Sequence, residues 1–191
     1  MGTTKSGERK LQILQALAQM LEAPRGEKIT TAALARHLSI SEAALYRHFA
    51  SKAQMFEGLI EFIESSVFGV INQICEKEEN GLLQAQSVSM LLLNFAERNP
   101  GMTRVMIGDA LVNEDSRLQL RMNQFFDRVE LTLRQCLRLA ATQGHSKEEM
   151  AQLKSNLIMS YVIGKLFRFV KTQFREKPTD GMQDQINYIL A

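Results

Sequence analysis

An all-α protein of about nine helices is the fold this sequence predicts, and three observations carry the prediction. Apolar residues recur at helical spacing along most of the 191 residues, and no stretch alternates apolar and polar as a half-buried strand does. Breakers are scarce, with three Pro, while ten Met and ten Phe supply bulky apolar side chains to a chain that is 45% hydrophobic. Between the apolar stretches lie short runs that cap, start or stop helices.

The elements follow in order. Leu11, Ile13, Leu14, Leu17, Ala18 and Leu21 share one helical face and stop before Pro24-Arg25-Gly26, a turn signal. Thr30 or Thr31 caps a helix over residues 32–38, Ser39-Ile40 makes a tight connection, and Ser41 caps the segment "SEAALYRHF". Ser51 with Gln54 forms a capping-box pattern that opens a long helix to about residue 77, where Asn80-Gly81 breaks it. The next helix runs to Arg98. Asn99-Pro100 then supplies an N-cap with Pro in the first helical position. Near Glu114 a long helix begins, with Leu118, Met122, Phe125, Phe126, Val129, Leu133, Cys136, Leu137 and Ala140 on one face, and it ends around Gly144. Ser146 with Glu149 is a second capping box, opening a helix to about residue 176, and Pro178-Thr179-Asp180 restarts a terminal helix. There is no repeat or long linker. Two parts are expected, a head over 1–52 and a helical body over 53–191.

Composition excludes several function classes. No apolar run reaches the ~18 residues that span a bilayer, so no membrane partner is expected. Cys75 and Cys136 lie 61 residues apart, with neither a CxxC motif nor clustered His. They read as two small buried thiols of a reduced, cytoplasmic chain, with no disulfide and no metal. Nothing pairs a nucleophile with a base, no phosphate-cradling loop is present, and His37 and His145 read as solvent-facing. The expectation is no enzyme and no cofactor.

Charge is distributed unevenly. Residues 1–52 hold eight Lys/Arg against four acids, giving +4, whereas the other 139 hold fifteen against seventeen, giving −2. A basic head on a slightly acidic body fits nucleic-acid binding. The segment "SEAALYRHF" agrees with that reading. Leu34, Ala35, Leu38, Ile40, Leu45 and Phe49 point inward, leaving Ser41, Glu42, Ala44, Tyr46, Arg47 and His48 outward. Helix, three-residue turn and short helix form a helix-turn-helix. Its small residues let the second helix enter the major groove, and Tyr46, Arg47 and His48 reach bases or phosphates. Thr30, Thr31 and Lys52 stand at helix N-termini, where phosphate is favoured. Lys5, Arg9 and Lys10 form a basic arm for the minor groove or backbone.

Residues 10–62, through "ITTAALARHLSISEAALYRHFASKAQMFEGLIEFI", resemble the DNA-binding head of the TetR family of bacterial regulators, and an all-helical body of the usual length follows. Ser39 stands where that family commonly has a glycine. The resemblance implies a homodimer joined through residues 146–176 and part of 113–143, with Phe126, Leu133, Tyr161, Gly164 and Phe167 at the interface. A two-fold dimer implies palindromic double-stranded DNA with half-sites ~34–36 Å apart, holding one or several dimers per site.

The resemblance is closer still to the nucleoid-occlusion members of that family. It rests on "SEAALYRHF", "MFEGLIEFIE" and "LLLNFAERNPGMTRVMIGDALVNEDSRLQLRMNQFFDRVELTLRQCLR", and it diverges around 77–86 and 141–152. Those members bind chromosomal palindromes and, when DNA-bound, engage the C-terminal tail of the division protein FtsZ, blocking Z-ring assembly over the nucleoid. Carried over, this implies a groove between residues 52–77 and 82–98 lined by Phe62, Leu91, Asn94, Arg98 and Asn99, with the turn after the second helix exposing Glu97, Arg98 and Asn99. Two positions depart from the relatives: Val70 replaces an arginine and Asn94 a glycine. The alternative is the family's commoner role, a transcriptional repressor released by a small ligand, although Phe and Met stripes at helical spacing read as core.

Overall fold

The computed structural model describes residues 5–23 and 29–191, among which are nine α-helices, one 3-10 turn and no strand. The Pro24-Arg25-Gly26 turn lies outside the described residues. Three helices make the head: α1 (Lys5–Glu22), α2 (Thr31–His37) and α3 (Glu42–Tyr46). α4 (Lys52–Lys77) leads from the head into a body built from α5 (Gly81–Arg98), α6 (Pro100–Met106), the 3-10 turn (Asp109–Leu111), α7 (Ser116–Thr142), α8 (Met150–Lys171) and α9 (Met182–Leu190).

The inward rows follow the 3.6-residue period. Ile13, Leu17 and Leu21 of α1 and Phe56, Leu59, Ile60 and Ile63 of α4 belong to one core, which also holds Val88, Leu92, Phe125, Leu133 and Leu166. Leu11, expected on the inner face of α1, is exposed. By length and composition α4 could cross a bilayer, contrary to the expectation of no such run. Seven of its residues, Met55, Phe56, Leu59, Ile60, Ile63, Val67 and Ile71, are buried inside the bundle.

Caps explain most boundaries. Thr30 accepts a hydrogen bond from Ala33 N at 3.1 Å, Ser41 from Ala44 N at 3.1 Å and Ser51 from Gln54 N at 3.2 Å. Gln54 bonds back to Ala50 N at 2.9 Å, one residue earlier than a standard capping box. Asn80 is the cap of α5 as well as the end of the preceding break, accepting from Leu82 N and Leu83 N.

Four joints differ from the sequence reading. The Asn99 side chain does not cap α6. Its amide donates to Phe95 O at 2.8 Å and closes α5, and Pro100 leaves one fewer free N–H for a cap to satisfy. Ser146 and Glu149 make no capping box, because the chain there is still closing α7. His145 N donates to Ala140 O at 2.9 Å past Gly144 in a Schellman pattern, the Ser146 hydroxyl is left unpartnered, and α8 starts at Met150. α8 ends at Lys171, since Gln173 and Phe174 both adopt positive φ and fold the Phe174 ring onto Phe169 at 5.0 Å. The cysteines are not both buried. Cys75 is exposed and Cys136 buried.

The head is held to the body at two places. α1 lies on α6, where Gly101 comes so close to the Ala18 carbonyl that a Cβ there would collide with it, and Arg104 donates to Leu21 O at 2.9 Å. α4 lies along α7, braced by Arg121–Glu64 at 2.6 Å and Arg117–Glu57 at 3.0 Å. Gly101→Ala is therefore expected to lower the stability of the whole chain by about 1–3 kcal/mol, the cost of overpacking a closed contact. Urea unfolding followed by circular dichroism checks this, and an unchanged midpoint would mean that α1 and α6 can separate freely.

Candidate nucleic-acid interface and partner groove

α3 presents its polar side outward because only Leu45 turns fully in. Ser41, Glu42, Tyr46 and Arg47 are exposed, while Ala44 and His48 are half-buried. Ala43, absent from the predicted face, is exposed too; its i, i+4 relation to Arg47 was the available signal. Thr31 donates to Glu42 Oε2 at 2.8 Å, and Tyr46 OH donates to Thr31 Oγ1 at 3.4 Å. Thr31, Glu42 and Tyr46 thus tie the start of α2 to both ends of α3, and Glu42 also sits favourably at the positive end of its helix. Thr30 and Ser41 commit one lone pair each to capping. The Arg47 guanidinium has no hydrogen bond or ion pair among the described residues.

The turn between α2 and α3 is held by Ser39 at φ +54°, in the left-handed region that favours glycine. Its carbonyl neighbour Arg36 accepts from Ser39 N, and Ile40 N reaches Ala35 O, each at 3.0 Å.

Three basic residues are placed differently from the prediction. Lys52 turns toward the body: its ammonium pairs with Glu114 and lies 5.6 Å from the Phe56 ring centre. The side chain is short of solvent and its charge already matched, so it ties α4 to the segment before α7 instead of presenting a free cation to phosphate. Arg9 and Lys10 belong to α1, not to an extended arm. Arg9 Nη1 donates to Gln12 Oε1 at 2.8 Å, and Lys10 lies 5.7 Å from the Phe49 ring centre. Lys5 opens the same helix.

On the other side of the body, Phe62 and Val70 are exposed on α4, Leu91 is half-buried on α5, and Arg98 is exposed with no ion pair among the described residues. Leu91, Phe95 and Arg98 are spaced i, i+4, i+7 along α5. Asn94 turns away from that row, donating to Met90 O at 2.8 Å and meeting Met182 of α9. Asn99 is occupied at the α5–α6 corner. Glu97, expected to be exposed, is half-buried between Thr179 and Lys177; the Thr179 hydrogen bond foremost holds its carboxyl below the usual range.

The expected interface residues separate into two groups. Leu133 is fully buried inside the protomer and cannot face a partner, because its row on α7 packs into the protomer's own core. Phe126 is half-buried edge-on to Phe125, and the Tyr161 hydroxyl donates to Gln185 Oε1 of α9 at 2.7 Å. Gly164 and Phe167 do face outward on α8, in an exposed row with Leu153, Leu157 and Ile163.

Comparison with known proteins agrees with this arrangement. The family model for bacterial regulatory proteins of the tetR family matches residues 13–59, and one for the SlmA-like, tetracyclin repressor-like C-terminal domain matches 79–191. A nucleoid occlusion factor SlmA from Idiomarina loihiensis is 49% identical over 93% of this chain and 91% of that relative. The chain belongs to the SlmA nucleoid occlusion factors of the TetR family. The factor from Marinomonas is 46% identical over 96% of this chain and 93% of its own, and that from Shewanella denitrificans 45% over 99% and 96%. Solved structures share the fold alone. They include the TetR regulator PfmR of Thermus thermophilus, at TM-score 0.78 and 20% identity over 94% of this chain and 97% of its own. FadR of Bacillus halodurans reaches TM-score 0.81 at 14% identity over 98% and 97%.

Members of this family are DNA-binding proteins of nucleoid occlusion and cell division. Two outcomes test the DNA face. Arg47→Ala is expected to weaken specific binding by about 1–3 kcal/mol if the side chain reads a base edge, while Lys52→Ala leaves the salt slope of binding unchanged. Fluorescence titration over a salt series reads both. Ser39→Val, which forces a β-branched residue into the left-handed region, is expected to lower stability by about 1–2 kcal/mol in urea unfolding. Retained stability would show that the turn tolerates another backbone geometry.

Proposed function

We propose that this chain, as a two-fold dimer on palindromic double-stranded DNA, binds the C-terminal tail of FtsZ and blocks Z-ring assembly over the nucleoid. The observation that carries the reading is Arg98, an exposed guanidinium with no ion pair among the described residues, at the end of a helix that carries half-buried Leu91, in a member of the nucleoid occlusion family whose α4 exposes Phe62. An extended tail with carboxylates and apolar side chains needs an apolar trough and a cation at its rim. Val70 adds a further exposed apolar side chain on α4. The groove residues are accordingly Phe62, Leu91 and Arg98, with Asn99 shaping the corner; Asn94 serves the α5–α9 contact.

The DNA-reading residues are Tyr46 at the end of α3 and Arg47 and His48 just after it, with Thr30, Thr31 and Ser41 toward phosphate. The exposed apolar row of α8 supports the dimer, since Leu153, Leu157, Ile163 and Phe167 otherwise leave a stripe in water, and Gly164 has open space where a partner helix can approach. Such a protein works in the cytoplasm, on the nucleoid. The reading as a ligand-released repressor has less support: Met122, Phe125, Val88 and Leu92, the centre of the body, are closely packed core.

The test is anisotropy of a labelled FtsZ tail peptide titrated with the protein, with and without a cognate palindrome. Binding is expected, and Arg98→Asp is expected to weaken it by about tenfold or more while DNA binding persists. No tail binding by a DNA-competent dimer would overturn the proposal.

A further inference from the structure

Glu42 opens α3 with an exposed carboxylate, one turn before Tyr46 and on the same face of the helix. A negative charge there runs against the basic character of the head, where eight Lys/Arg stand against four acids over residues 1–52, and against any phosphate that approaches. The carboxylate is also held in place. Thr31 donates to Glu42 Oε2 at 2.8 Å and Tyr46 OH donates to Thr31 Oγ1 at 3.4 Å, so a line of donors ends on Glu42. The Thr31 hydroxyl proton is thereby committed, and its main-chain N–H is what remains for phosphate. Glu42 has no ion pair and no second hydrogen bond among the described residues, which leaves Oε1 as an exposed acceptor. Its neighbours Ser41, Ala43 and Ala44 are small, so Glu42 is the side chain with the longest reach on the first turn of α3.

We propose that Glu42 selects a cytosine in each half-site, accepting a hydrogen bond from its N4 amino group in the major groove; the inference rests on the DNA-binding reading above. Donors and acceptors decide the base. An ionised carboxylate only accepts, so it cannot bond a phosphate oxygen, which only accepts too. In the major groove guanine presents N7 and O6 and thymine presents O4, all of them acceptors. Adenine sets its amino group beside the N7 acceptor. Cytosine offers its amino group with no acceptor of its own next to it. The N-terminal residues of a recognition helix are the ones that meet base edges, and Glu42 is the first residue of α3. The Thr31 hydrogen bond matters because it orders a flexible side chain before DNA arrives, so that less freedom is lost on binding. The same charge acts against other sequences. Where no amino group is offered, the carboxylate faces acceptors and phosphates, and binding weakens. Glu42 is thus a specificity-determining residue by exclusion as well as by attraction.

The test selects binding sites from a library of randomised duplexes, using the full chain as wild type, Glu42→Ala and Glu42→Gln, and then measures affinity for the selected site and for an unrelated duplex. Wild type is expected to select a palindrome in which one C·G pair of each half-site is favoured about tenfold more than it is by Glu42→Ala. Affinity of Glu42→Ala for the unrelated duplex is expected to stay equal or to rise, because a negative charge has left the face. Glu42→Gln keeps an oxygen for the Thr31 hydroxyl and adds an amide donor, so it is expected to shift the same position toward adenine, whose N6 and N7 suit a carboxamide. Glu42→Ala that selects the wild-type sequence unchanged, with affinity lowered alike for both duplexes, would overturn the inference and leave Glu42 a brace between α2 and α3. A changed preference at a position other than a C·G pair would overturn it too. Wild-type protein that selects no sequence at all would instead overturn the DNA-binding reading on which the inference rests.

Discussion

α3 is five residues long and buries one side chain completely, Leu45, with Phe49 just beyond its end. A helix that short cannot repay its own nucleation, and one leucine contributes only about 1.5–3 kcal/mol. Its position is therefore borrowed from its neighbours. The Ser41 cap starts it, and Thr31 joins it to α2 through Glu42 and Tyr46. Phe49 seats it against the head core beneath Lys10. Glu42 and Tyr46 of the outward face serve that anchoring, which leaves the Arg47 guanidinium with no hydrogen bond or ion pair among the described residues.

That dependence extends into the body. α4 follows α3 directly, so whatever fixes α4 also fixes the DNA face. Three ion pairs run along it: Lys52–Glu114, Arg117–Glu57 and Arg121–Glu64. On the opposite side Arg104 bridges Leu21 O and Asp109, and Asp109 also receives Lys171 from α8 at 2.9 Å. Arg104 of α6 and Lys171 of α8, the helix that carries the exposed apolar row, thus share the Asp109 carboxylate. Between these contacts lies a cleft of about 930 Å³, bordered by His37, Lys52, Arg104 and Lys171. Head orientation and body packing are one mechanical problem, solved mostly by close contacts such as Gly101 on Ala18 and only secondarily by charge.

Local signals in the chain were readable wherever the deciding interaction is local. Caps at Thr30, Ser41 and Ser51, the break at Asn80-Gly81, and the inward rows of α4 and α7 depend on spacings of three or four residues. The outward set on α3 was legible for the same reason. Errors arose where a side chain had a choice of distant partners. Lys52 reads as a phosphate ligand at a helix start until Glu114, 62 residues away, claims it. Asn94 looks like a groove residue until Met182 of α9 meets it, and Glu97 looks exposed until Lys177 and Thr179, ahead of α9, close over it. Leu133 belongs to an amphipathic face whose inner side is the protomer's own core, and periodicity alone does not say which partner a face meets. Ser146 fails as a cap because α7 has not yet finished closing.

By itself the sequence determined an all-helical chain, the position and outward chemistry of the short recognition helix, and the kinship that names its family. Those properties follow from helical period, capping chemistry and short motifs, all set by residues near one another along the chain. Only the tertiary structure decided which cations remain available, which face of α8 stays uncovered, how the head is braced, and that Cys75 is exposed where Cys136 is buried. Each of these is a contact between residues dozens of positions apart, and its outcome depends on how long rigid helices cross rather than on any local preference.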